Sequence, residues 1–215
     1  MYVPAHFASA EADALIARLS RRWAGVLVTV DADGTPVATH MPILWDADRR
    51  IATGHIARAN PQWKQGSGRG LIVLSGAEAY VSPAWYPSKD EHGKAVPTWN
   101  YEAVHFTGLV EWFEDSARLE GVVRDLSAFH ERGRAEPWAI EDAPRGYIDA
   151  LLRGIVGVAL HVERVEAKRK LSQNQNRADF AGATAALAAS ADPMAQELAA
   201  LMRSARAVAD DPEGN

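Results

Sequence analysis

The sequence predicts an α+β fold, mainly antiparallel β, in which a small barrel of short strands carries helices on its outside. Three patterns predict it: six or seven short apolar, β-branched runs, turn residues between them, and helical periodicity confined to the segments that interrupt or follow them. A sandwich would give much the same strand pattern, and closure of a barrel is not visible in the strands themselves.

Taken in order, Ser9 can cap a helix running to about Arg22, with Leu15, Ile16 and Leu19 as its apolar stripe. GVLVTVDADGTPVATHMPILWD follows, two β-branched runs around Asp33-Gly34, which is a hairpin signal. A third strand is expected around Arg50–Ile56, after a turn at Asp46–Arg49. Leu71–Ser75, Glu78–Ser82 and His105–Phe113 read as further strands, and SKDEHGKAV, with Gly93, as a polar loop. Leu119, Val122, Val123, Leu126 and Phe129 repeat at helical spacing between Asp115 and Arg132, and Gly133 stops that helix. Pro144–Leu152 reads as a shorter helix and Ile155–Val165 as a last strand. Beyond a basic loop the chain turns alanine-rich and helical to about Val208, then ends in a polar tail.

Composition narrows the function classes. Of 215 residues 47% are hydrophobic and 24% charged, so the core can rest on burial without covalent staples. The absence of cysteine excludes disulfides, thiolate metal sites and cysteine nucleophiles, and it fits a reducing cytoplasm. MYVPAHFASAEADAL has neither a basic n-region nor an unbroken apolar h-region, so no signal peptide is expected. No apolar run approaches the roughly 20 residues of a membrane span, so no membrane partner is expected. A net charge of -5 argues against a chain-wide footprint for nucleic acid. The local cluster Lys168, Arg169 and Lys170, with Arg164 and Arg177 nearby, keeps DNA open as a partner, although no helix-turn-helix with a basic recognition helix is visible.

Four stretches carry chemistry. In GHIARANPQW, Asn60 is a good N-cap and Pro61 is favoured at the first helical position. A helix starting there would present unpaired N–H groups beside Arg58 and His55, a natural place for a phosphate. In Thr39-His40-Met41-Pro42, Pro42 cannot donate to a ladder, so this strand lies at an edge or is bulged and can offer backbone groups to a flat heterocycle. Trp99, Asn100 and Tyr101 combine two rings with an amide, suited to stacking on a ring and bonding its edge, or simply to core packing. KRKLSQNQ is a basic, amide-rich turn that could hold a second phosphate contact or be a solvated connection.

Together, MYVPAHF, GHIARANPQW, PTWNY, the following VHFTG and KLSQNQ, in this order over roughly residues 1 to 180, closely resemble the PaiB-like FMN-binding proteins. The resemblance implies a split β-barrel related to that of pyridoxamine-phosphate oxidases and flavin reductases, with peripheral helices and a helical C-terminal segment. It implies a homodimer with FMN in the groove between subunits. In that frame Thr39, His40, Met41 and Pro42 run along the isoalloxazine. Arg58, with His55 and Asn60, faces the phosphate side, Lys170 and Gln173 close it, and Trp99 and Asn100 come from the second subunit. The expected organisation is an FMN-binding domain over residues 1–172 and an alanine-rich helical extension with a polar tail over 173–215. Three roles stay open: a negative transcriptional or redox-responsive regulator, an FMN-dependent oxidoreductase using NAD(P)H, and a haem-handling protein with His40, His55, His105 or His161 as ligand. Flavin chemistry needs no particular acid–base dyad, so the absence of one decides nothing.

Overall fold

The computed structural model describes residues 1–9 and 11–210, the last three by backbone alone; the polar tail, from residue 211 on, lies outside the described residues. Seven strands form one antiparallel sheet that does not close: β1 (Gly25–Val30), β2 (Pro36–Met41), β3 (Leu44–Asp46), β4 (Ile51–Ala57), β5 (Gly68–Val81), β6 (Thr98–Phe113) and β7 (Ile155–Lys170). Their order is β2-β1-β5-β6-β7-β4-β3, which leaves β2 at one edge and β3 at the other. The mainly antiparallel α+β class is therefore the observed one.

The hairpin forms where Asp33-Gly34 placed it. Val30 pairs with Pro36 and Gly25 with Met41. Gly34 takes a left-handed φ of 90°, and the Asp31 carboxylate accepts the Thr35 N–H at 2.9 Å across the turn. Among the described residues six α-helices accompany the sheet: α1 (Ala12–Arg22), α2 (Ser88–His92), α3 (Ser116–Glu131), α4 (Arg145–Arg153), α5 (Arg177–Ala188) and α6 (Pro193–Asp210). Asp115 caps α3 by accepting from the Arg118 N–H at 2.8 Å.

Several boundaries differ from the sequence reading, each for a long-range reason. Leu71–Ser75 and Glu78–Ser82 are one strand, β5, because Gly76 lies buried within it instead of turning the chain. PTWNY is already strand, since β6 begins at Thr98. The last strand runs on to Lys170, so the basic run is a strand end and not a loop. Ser9 does not cap α1; its N–H donates to the Ala167 carbonyl at 3.1 Å, and Glu11 stands at the N-cap position. Part of the loop around Gly93 is helical, as α2, and Gly93 ends it with a φ of 68°.

The chain divides into two compact units, and it passes between them inside β5, β6 and β7. The first comprises Met1–Ala10, Ser75–Ala103 and Ala167–Asn215; the second comprises Glu11–Leu74 and Val104–Glu166. In the first, Val81, Tyr86, Leu171, Phe180, Leu187 and Leu198 centre a core built largely by α5 and α6. Gly182 lets α5 approach the Pro83–Trp85 turn closely: a Cβ there would stand 2.1 Å from the Trp85 carbonyl oxygen. In the second, α3 and α4 bury Leu119, Val122, Leu126, Ile148 and Leu152 against Phe113 and Ala159.

Candidate functional site

In the second unit the expected residues gather on β2, β4 and the loop after β4. Edge strand β2 bonds to β1 on one side only, so alternate residues, His40 among them, turn open backbone groups to its other side. His40 is exposed and Met41 buried. Pro42 follows the strand end, where β4 comes so close that a Cβ on Gly54 would lie 2.6 Å from the Pro42 carbonyl oxygen. Only glycine fits there.

Asn60 and Pro61 do start a helix, but it is a five-residue 3₁₀ turn, Pro61–Gln65. The Asn60 side-chain oxygen, Oδ1, accepts from the Gln62 N–H at 3.0 Å while its side-chain amide donates to Thr39 Oγ1 at 2.7 Å. Asn60 thus joins the GHIARANPQW loop to β2. Sequence reasoning missed the second tie. Gln62 is buried, and its amide donates to Thr29 Oγ1 at 2.9 Å and to the Val37 carbonyl at 3.2 Å. A glutamine at the second position of the expected helix gives no local signal of that burial.

Arg58 is positioned by three acceptors: Nε donates to the Arg153 carbonyl at 2.7 Å, Nη2 to the Ile155 carbonyl at 3.1 Å, and Nη1 to the Glu114 carboxylate. A guanidinium has five N–H donors, so two remain for an anion. Its side chain is 35% accessible. Burial pushes the His55 imidazole below the ordinary histidine value, and its Nδ1 is enclosed with no hydrogen-bond partner.

In the first unit Trp99 is exposed on β6, where its Nε1 donates to Glu78 at 3.2 Å and its ring lies 6.4 Å from that of Tyr80. The two rings are tilted 57° to one another, and each is about half exposed. Asn100, the next residue, points the other way and is fully buried; its amide donates to Ser172 Oγ at 2.9 Å. Gln173 turns back on its own turn, accepting from the Leu171 N–H at 2.7 Å and donating to the Arg169 carbonyl at 2.6 Å. Lys170 Nζ donates to Thr98 Oγ1.

The rest of the basic run is also engaged within this unit. Lys168 is buried among the rings of Tyr2, Phe7 and Tyr101, and its Nζ donates to the Tyr2 carbonyl at 3.1 Å. Arg169 pairs at 2.8 Å with the buried carboxylate of Glu102. These contacts tie the N-terminal segment and β6 to the end of β7.

FMN needs a planar surface, backbone groups for its ring edge and a cation for its phosphate. In the second unit the open backbone edge at His40 and the two unengaged Arg58 donors fit a ring edge and a phosphate; in the first, the half-exposed Trp99 ring is a face on which a flat ring can stack.

Known proteins agree. The model of the family described as "Putative FMN-binding domain" matches residues 1–164. The protease synthase and sporulation protein PAI 2 of Bacillus subtilis is 32% identical over 206 residues, covering 94% of this chain and 96% of the relative. The conserved hypothetical protein Rv2991 of Mycobacterium tuberculosis superposes with a TM-score of 0.57 at 16% identity, covering 82% of this chain and 95% of that one. The flavocytochrome Anf3 of Azotobacter vinelandii does so with a TM-score of 0.56 at 15% identity, covering 84% and 78%. The two solved structures show the split-barrel fold, and the match along nearly all of PAI 2 shows the kinship. The chain belongs to the FMN-binding family that includes the PaiB-like proteins, and FMN is the cofactor of its domain.

Proposed function

We propose that this protein is an FMN-dependent regulator of the PaiB type that acts as a homodimer. The observation that carries the reading is the 32% identity to a sporulation protein over 94% of the chain, the helical C-terminal segment included. FMN, when bound, supplies one- and two-electron redox chemistry that the side chains lack. The chain's own contribution is binding and orientation. Thr39–Pro42 present backbone groups to the ring edge, and Arg58, held by Glu114 and two carbonyls, offers its remaining donors to the phosphate. Trp99, outward on its strand, serves the flavin of the second subunit. Because Lys168, Arg169 and Lys170 are each engaged within the fold, regulation through an altered protein partner fits the chain better than wide DNA contact.

The test combines three measurements on the full chain. Absorption of the FMN-reconstituted protein should show a flavin bound one per chain, with no haem band. Sedimentation at micromolar concentration should give twice the 23.3 kDa chain mass. Aerobic NADH or NADPH oxidation should not exceed that of FMN alone. Turnover well above that level would replace the regulator with the oxidoreductase reading, and a monomer binding FMN normally would remove the second subunit from the site.

A further inference from the structure

We propose that the groove between α5 and α6, in the first unit, is a binding site for a small aliphatic carboxylate, with Arg177 and Arg203 as its anion-binding pair. The groove holds about 370 Å³, within the roughly 300–1,000 Å³ of small-molecule sites. Arg177, Ala181 and Ala185 follow one another along α5, Arg203 and Arg206 belong to α6, and Phe180 and Thr184 complete the lining.

Charge names one end of the ligand. Three guanidiniums line the groove, and no acidic side chain does. Arg206 is half-buried and lies 5.4 Å from the centre of the Phe180 ring. Arg177 and Arg203 are exposed and make no ion pair among the described residues. Other exposed arginines do find acids: Arg69 pairs with Glu163, Arg118 with Glu111, and Arg145 with Glu120 and Asp149. A guanidinium fork left open beside a second one suits a carboxylate, to which it donates two parallel N–H bonds.

The apolar lining names the other end. Ala181 and Ala185 are exposed and one turn apart, so they present methyl groups to the groove. Phe180 is buried with a guanidinium over its ring, so it leaves no open face for an aromatic ligand to stack on. A saturated chain fits these methyl groups. From Arg177 to Ala185 the helix rises about 12 Å, the reach of a short acyl chain. A stable protein partner would need roughly 800 Å² on each side, far more than this stretch presents.

Octanoate, octanol and acetate are the probes, the first with both ends of the ligand and the others with one each. Calorimetric titration of the full chain, below micelle-forming concentrations, should show saturable one-to-one binding of octanoate that weakens with added salt. Octanol and acetate should each bind at least about 10-fold more weakly. Arg177→Gln and Arg203→Gln should each weaken octanoate about 3- to 10-fold, the loss of a charge-assisted contact at an exposed site, and leave octanol unchanged. Ala181→Glu, at an exposed helix position, should set a carboxylate among the arginines and abolish octanoate binding without lowering the melting temperature. FMN titrations of the variants should match wild type, and octanoate should bind equally with and without FMN, which separates this proposal from the fate of the flavin reading. No saturable octanoate binding to wild type, equal affinity for octanol, an affinity that neither arginine variant moves, or displacement of octanoate by FMN would each overturn it.

Discussion

The Asn60 amide donates to Thr39 Oγ1 at 2.7 Å, across 21 residues of sequence, so the loop after β4 and edge strand β2 are held as one surface. The same side chain caps the 3₁₀ turn through Gln62 N–H. Asn60→Ala should therefore lower stability by about 1–2 kcal/mol. Asn60→Asp keeps the cap acceptor and loses only the donor to Thr39. Thermal melts of the apo variants should rank Asp above Ala, while FMN titrations should show both weakened through the displaced β2 edge. Unchanged FMN affinity in both would detach Thr39 from the flavin.

For Arg58, phosphate recognition predicts a ligand-dependent loss. A charge-assisted hydrogen bond is worth roughly 1.5–3 kcal/mol, so Arg58→Ala should weaken FMN about 10- to 150-fold and riboflavin, which has no phosphate, hardly at all. Arg58 also ties down the Arg153 and Ile155 carbonyls, so a lower melting temperature accompanies the change. The FMN-to-riboflavin ratio is insensitive to that structural cost. Lys170→Ala, titrated in parallel, should shift the ratio in the same direction; equal losses for the two ligands would return either residue to a structural role.

Truncating a core tryptophan costs about 3–5 kcal/mol. Trp99 is 46% exposed, so Trp99→Ala should leave the apo melting temperature nearly unchanged. If its face meets the flavin ring, FMN should weaken about 2- to 12-fold, as expected for one aromatic pair of 0.5–1.5 kcal/mol. A large drop in the apo melting temperature with normal FMN affinity would contradict the assignment.

On the sheet, Glu111 accepts hydrogen bonds from Arg118 and, at 2.7 Å, pairs with His161, and these partners hold its carboxyl at about 2 against an ordinary 4.5. The folded value is the lower one. The pairing therefore stabilises the fold fully above about pH 4.5, and its contribution disappears as pH falls through 2. Solvent reaches over a third of the side chain and screens the effect. The melting temperature of Glu111→Gln should lie slightly below wild type at pH 6 and converge with it near pH 2.

Local chemistry was legible in the sequence because its causes lie within a few residues. Asp33-Gly34 set the hairpin, Asp115 the start of α3, Asn60-Pro61 the turn after β4, and the motifs around them marked the family. Strand lengths were not legible, because a strand continues for as long as a neighbour pairs with it. The sequence could not show that β5 passes through Gly76 or that β7 reaches Lys170. Nor could it show which polar residues face inward. Trp99 and Asn100 are adjacent in PTWNY, yet the two-residue period of the strand exposes the first and buries the second. The basic run read as a patch because its partners are distant: Glu102, 67 residues from Arg169, and Tyr2, 166 residues from Lys168, meet it only when β6, β7 and the N-terminal segment assemble. Sequence alone determined the family, its cofactor and the local turns. The tertiary structure decided which side chains remain available to a ligand, because availability depends on long-range hydrogen bonds and burial that no local pattern encodes.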